Sequence, residues 1–169
     1  LFEGIQMLLF YLITYLLTGV FIWSTFILFK LKYKYLNKSN KDLSEFNLLF
    51  KTNKIMALLM MFVLLSLAGF PPLIGFLSKA NVFLVAMDSS MYYIAILAIL
   101  CSVIATFYYL RIIKILFFEN KLIGNLFYCL NTQNSSLLVL IFYCIILLFI
   151  NPSFIYLICY KSSLLLSLS

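Results

Sequence analysis

Lys79 is the only charged residue between Ile55 and Met87, a stretch of about 33 residues that is otherwise apolar or weakly polar. A lysine held among apolar side chains has its charged form disfavoured and exchanges a proton readily, which is the property a proton relay requires. The alternative is structural: the ammonium caps backbone carbonyls freed nearby, or it snorkels to the headgroups. Asp88 marks the near surface nine residues on, roughly 13 Å along a helix, so snorkelling in that direction is strained.

Just ahead of this lysine runs Ala68-Gly69-Phe70-Pro71-Pro72-Leu73-Ile74-Gly75-Phe76. Two consecutive prolines remove two backbone donors and clash with the preceding turn, so the segment predicts two half-helices divided at Gly69, Pro71, Pro72 and Gly75. Irregular backbone at membrane depth is tolerated only where protein or a water-filled cavity covers it, and in transporters broken helices mark ion sites. Lys79 follows Gly75 by four residues, which is expected to set its ammonium in the first turn of the second half-helix, near the positive pole of that helix. Taken alone, Pro71-Pro72 would read as a packing kink; beside a membrane lysine it reads as a site.

The remaining polar groups inside apolar segments are Thr14, Thr18, Ser24, Thr25, Ser66, Ser78, Ser102, Thr106, Tyr108 and Tyr109. Most are expected to bond backbone carbonyls of their own or neighbouring helices. Arg111 and Lys114 read as anchors at one membrane surface and Glu3 as an interface marker at the other. Cys101, Cys129, Cys144 and Cys159 have no metal-ligand spacing and the chain has no histidine, so the cysteines are expected to be small buried apolar side chains.

Of the 169 residues 66% are hydrophobic and 10% charged, against roughly 45–50% and about 25% in an ordinary globular domain. Five acids and twelve bases cannot clothe a soluble surface of this size, so the chain is expected in lipid. The composition predicts an all-α integral membrane protein forming one domain over 1–169. Uncharged or nearly uncharged segments predict helices over about 4–29, 55–87 (the broken one), 91–114 and 133–150, giving four crossings. A basic loop spans 30–54, Asp88-Ser89-Ser90 forms a tight turn, and 151–169 is a C-terminal surface segment. The first segment lacks the basic start and cleavage site of a signal peptide.

The charges divide by side. Residues 30–54 carry seven lysines against Asp42 and Glu45, a net of +5, and Arg111, Lys114 and Lys121 less Glu119 give +2. Glu3, Asp88 and Lys161 on the other side sum to −1. The basic loops therefore face the cytoplasm or the mitochondrial matrix, with both termini on the opposite side. A net charge of +7 without an aromatic-interleaved soluble face argues against nucleic acid.

The run Leu65-Ser66-Leu67-Ala68-Gly69-Phe70-Pro71-Pro72-Leu73-Ile74-Gly75-Phe76-Leu77-Ser78-Lys79, then Phe107-Tyr108-Tyr109-Leu110-Arg111-Ile112-Ile113-Lys114, resembles the NADH dehydrogenase subunit 2 family, the antiporter-like membrane-arm subunits of respiratory complex I. Glu3-Gly4-Ile5-Gln6 is similar to the same family, and the likeness covers residues 3 to about 120. Ala80 departs from it, where an aromatic is usual. The resemblance implies an antiporter-like fold of which this chain is the C-terminal part, four helices of a longer subunit. It implies that Lys79 is the broken-helix lysine of a proton half-channel, exchanging towards the intermembrane side, and that Gly69, Pro71, Pro72 and Gly75 form the break. It implies a non-redox subunit of a proton-translocating NADH:ubiquinone oxidoreductase with no catalytic centre in this chain alone. NADH, FMN, iron–sulfur clusters and ubiquinone would then be held elsewhere in the complex.

The expected partners are other membrane-arm subunits, membrane lipids and a separate polypeptide supplying the N-terminal helices, in the mitochondrial inner membrane. A start at Leu1 fits an unusual start codon, processing or a fragment, and the abundance of Phe, Tyr, Ile, Leu, Lys and Asn fits a split organellar gene. The competing readings are a subunit of a free-standing cation/proton antiporter and a purely structural membrane subunit.

Overall fold

The structure is a computed structural model and describes residues 2–28, 50, 53–118 and 132–168. Most of the basic loop 30–54, and the segment 119–131 with Glu119, Lys121 and Cys129, lie outside the described residues. Those described are helical apart from short turns: α1 (Phe2–Leu28), α2 (Lys54–Ala68), α3 (Ile74–Asp88), α4 (Tyr92–Phe118), α5 (Thr132–Ile150) and α6 (Ser153–Leu168).

The helix ends follow from local chemistry. Asn53, in extended backbone, accepts the Met56 N–H at 3.2 Å and starts α2. Gly69 ends it at φ +88°, where its own N–H donates to the Ser66 carbonyl and the Phe70 N–H donates to the Leu65 carbonyl, each at 3.0 Å. That pair of bonds is a Schellman closure and needs the left-handed conformation that glycine adopts freely. The polar turn after Asp88 is present as expected: Ser90 sits at φ 57° and the Met91 N–H donates to the Ala86 carbonyl at 3.0 Å. Pro152, unable to continue a helix, separates α5 from α6, whose axes differ by 84°.

Helix α1 is central and packs against α2, α3, α5 and α6. Phe10, Thr14, Thr18, Phe21 and Thr25 recur every three or four residues along one face and are all buried. The buried threonines donate back to carbonyls of their own helix, Thr14 to Tyr11, Thr18 to Thr14 and Thr25 to Ile22, so burial leaves no hydroxyl unpaired. Ser102 and Thr106 do the same in α4. Helix α4 lies across α2 and α3 and presents Tyr93, Leu97, Leu100 and Ile104 outward. In lipid such a face carries no penalty.

The segment 151–169, placed at the surface by its sequence, contains a helix with a seated face. Ile155, Cys159 and Ser163, four residues apart, are buried. Tyr156 stacks on Phe10 with ring centroids 4.4 Å apart, its hydroxyl accepts from the Asn81 side chain, and its carbonyl accepts from Gln6 at 3.4 Å. Of the described cysteines Cys159 is buried as expected, whereas Cys144 is half-buried and Cys101, which lines an open cleft between α1, α3 and α4, is exposed.

By length and composition α1 and α4 can each cross a membrane alone. Helices α2 and α3 have 15 residues each, roughly 22 Å of rise, and reach across about 30 Å of hydrocarbon only in series.

Candidate functional site

Two half-helices meeting inside a bilayer leave unpaired carbonyls at the end of the first and unpaired amides at the start of the second. Here each half caps the other. At the end of α2 the Leu65 and Ser66 carbonyls are taken by the Schellman bonds, and the next two carbonyls accept from Lys79: Nζ donates to Leu67 at 2.7 Å and to Ala68 at 3.3 Å. At the start of α3 Leu73 supplies no side-chain cap, and the Gly75 N–H donates instead to Ser66 Oγ, 3.1 Å away on α2. Ser78 Oγ donates to the Gly75 carbonyl at 3.0 Å. Ser66 and Ser78 are both buried.

The glycines let the halves approach this closely. A Cβ on Gly75 would lie 1.8 Å from the Ser66 carbonyl oxygen. A Cβ on Gly69, besides its positive φ, would lie 3.3 Å from Cδ of Lys79. Pro71 and Pro72, joined by a cis peptide, form the exposed outside of the turn, which the Leu73 N–H closes by donating to the Phe70 carbonyl at 3.0 Å. All five residues singled out by the sequence are thus gathered at the break.

One expectation is corrected. Lys79 does lie early in α3, yet its ammonium is not at the positive pole of that helix. The side chain turns back, away from Asp88, to the carbonyl end of α2, where the negative pole favours a cation. The two half-helices lie side by side at the break, so the pole nearest the ammonium belongs to the other one.

Lys79 also borders open space. A cleft of about 450 Å³ between α1, α3 and α4 is lined by Lys79, Tyr11, Tyr15, Ser102 and Tyr109 among others. A smaller void of about 10 Å³, the size of one water, lies between Lys79, Thr14, Thr18, Ser66 and Ser78. Tyr11 and Tyr15 stack on each other with centroids 6.0 Å apart. Neither is marked by the sequence reading, although their four-residue spacing, which puts both phenols on one face of α1, is a signal that finds them. Ser66, one of ten polar groups of which most are expected to bond carbonyls, acts as an acceptor across the break. Arg111, Lys114 and Glu3 are exposed and outside the site. Among the described residues no cluster of His, Cys, Asp and Glu could hold a metal ion.

Ser66→Ala removes the one acceptor found for the Gly75 N–H. It is expected to cost about 1 kcal/mol, read as a lower melting temperature of the purified assembly with the helix content unchanged. An unaltered melting temperature would remove Ser66 from the capping scheme.

Residues 1–105 match the family model described as NADH:quinone oxidoreductase/Mrp antiporter, TM. The chain is 32% identical over 167 residues to NADH-ubiquinone oxidoreductase chain 2 of Marchantia polymorpha, covering 98% of this chain and 33% of that protein. It is 38% identical over 119 residues to NADH-quinone oxidoreductase subunit N of Pelagibacter ubique, covering 70% of this chain and 24% of the relative. The chain spans about a third or less of the length of these curated relatives. In three dimensions it is similar to a chain of respiratory complex I from Thermus thermophilus with bound aureothin, at a TM-score of 0.74 and 22% identity, covering 90% of this chain and 34% of that one. At that identity the likeness shows the fold.

Proposed function

The chain belongs to the NADH:quinone oxidoreductase/Mrp antiporter transmembrane family, and on that premise we propose that it is the C-terminal part of a proton-translocating membrane-arm subunit of NADH:ubiquinone oxidoreductase, respiratory complex I. In this reading it crosses the bilayer four times, α2 and α3 together forming one broken crossing. Lys79 is the proton-exchanging residue, and Gly69, Pro71, Pro72 and Gly75 build the break that holds it.

The observation that carries the reading is the setting of Lys79: its ammonium closes the end of α2 on the Leu67 and Ala68 carbonyls while facing a cleft. Protonated, it makes two charge-assisted bonds at the break. On giving a proton to an acceptor in the cleft it becomes a neutral amine, its hold on the carbonyls weakens, and the joint between the half-helices loosens. Proton occupancy and the geometry of the break are thereby linked. No electron chemistry is asked of this chain; NADH, FMN, iron–sulfur clusters and ubiquinone are assigned to other subunits.

The +5 and +2 charge of the two loop regions supports a matrix-facing side for them in a mitochondrial inner membrane, with both termini towards the intermembrane space. The partners in this reading are the other membrane-arm subunits and a second polypeptide supplying the rest of the subunit. Mass spectrometry of native-gel slices from detergent-solubilised membranes tests it. Co-migration with in-gel NADH dehydrogenase activity, together with a polypeptide matching the remaining two thirds of the relatives, is expected. Absence from the active band would move the free-standing antiporter to the front.

A further inference from the structure

Lys79 uses two of its three N–H donors on the Leu67 and Ala68 carbonyls, which leaves one for the cleft. The cleft's polar lining is uneven along the helix axes. Lys79 precedes Asp88 by nine residues, roughly 13 Å, whereas Tyr109 lies seventeen residues beyond Tyr92, roughly 25 Å from the same turn and two residues short of Arg111. Gly4 of α1 lies against Val85 of α3, three residues short of Asp88, so Tyr15, eleven residues further along α1, stands roughly 21 Å from that turn and between these levels, with Tyr11 one turn below it. Towards the Asp88 turn the wall is Val82, Phe83 and Ala98, all apolar. The three phenols line the same cleft, with Tyr11 and Tyr15 stacked on each other, and none of their hydroxyls makes a hydrogen bond to another described residue. They are donors and acceptors left open on the wall that Lys79 faces.

We propose that Tyr15 and Tyr109, supported by Tyr11, are the proton-carrying groups that connect Lys79 with the side of the membrane marked by Arg111 and Lys114, forming the uptake branch of the path. The inference rests on the reading of Lys79 as the exchanging residue and adds its partners and the direction of entry. In the transfer a phenol gives its O–H proton, directly or across one water, to the lone pair of the neutral Lys79 amine. One O–H bond breaks and the third N–H bond of the ammonium forms. The phenol oxygen takes a proton from the neighbour on its far side, so each tyrosine ends neutral and one proton has moved inward. At about 30 Å³ per water the cleft is roomy enough for such a chain.

The test uses the assembled complex in sealed membrane vesicles. It compares protons moved per electron in Tyr15→Phe/Tyr109→Phe, Lys79→Ala and Tyr108→Phe, the last an exposed tyrosine outside the cleft. Phenylalanine keeps the ring and its packing, so the change isolates the hydroxyls. The double variant is expected to lose at least half as much of the proton-to-electron ratio as Lys79→Ala loses, at unchanged NADH oxidation, while Tyr108→Phe matches the parent. A double variant that pumps like the parent while Lys79→Ala does not would overturn the tyrosine branch and leave Lys79 in place. Normal pumping in Lys79→Ala as well would overturn both readings. If the double variant does not assemble, the single variants Tyr15→Phe and Tyr109→Phe are judged by the same ratio, and parental values in both overturn the proposal.

Discussion

Gly75→Ala is expected to abolish accumulation of the chain in the membrane, the largest effect of an added methyl group at any of the described glycines. The added Cβ would sit 1.8 Å from the Ser66 carbonyl oxygen and 2.6 Å from its carbon, both backbone atoms of the facing half-helix. Neither can swing aside as the end of a long side chain would. Relief requires the halves to separate, and separation breaks the Gly75 N–H bond to Ser66 Oγ and the two Lys79 bonds to α2 together. Losses of linked buried bonds are of the kind that exceed about 4 kcal/mol, which removes most of the margin of a protein at the lower end of ordinary stability, about 5 kcal/mol, and exposes the chain to proteolytic removal. Quantitative blotting of native gels is the measurement, with Gly19→Ala as the comparison, since a Cβ there meets nothing within 4 Å. Parental amounts of assembled Gly75→Ala would mean that the half-helices do not pack as closely as described.

What was legible in the sequence follows from which signals are local. Two prolines and two glycines within seven residues dictate a break wherever the chain folds, and α2 ends at Ala68 and α3 begins at Ile74 on either side of it. A single lysine in an apolar stretch is conspicuous without any knowledge of packing. The direction of its side chain is another matter. Which helix pole lies nearest Nζ depends on how two half-helices are laid side by side, and nothing within four residues of Lys79 encodes that. Ser66 was hidden for the same reason: a membrane serine ordinarily bonds its own helix, as Ser78 and Ser102 do, and only the approach of Gly75 turns it into an acceptor across the break. The seating of α6 was closer to legible, since Ile155, Cys159 and Ser163 share one face, but the polar character of Ser163 masks the stripe. The proposed link between this break and proton movement is not carried by spacing alone; it rests on the family likeness as an expectation.

Lys79→Met and Lys79→Arg should separate the two tasks assigned to this residue. Methionine has similar reach and no donor, so the Leu67 and Ala68 carbonyls lose the partner that Lys79 supplies. Each orphaned carbonyl costs about 1–3 kcal/mol, and the assembly is expected to melt earlier as well as to stop pumping through this subunit. Arginine keeps a permanent charge and several donors, so it can hold both carbonyls, yet it does not release a proton in a protein. Lys79→Arg is therefore expected to retain most of the stability lost by Lys79→Met while translocation through this subunit falls by at least about tenfold, the lower end of what positioned proton transfer contributes being nearer a hundredfold. Melting temperature and proton-to-electron ratio, measured on the same preparations, make the comparison. If both variants pump normally, the lysine is a cap alone and the structural reading of the chain gains; if Lys79→Arg both pumps and stays stable, charge rather than exchange is what the break needs. A stable arginine variant that oxidises NADH but moves fewer protons would fix exchange at Nζ as the function, with capping as the means by which a charged lysine is kept at this depth.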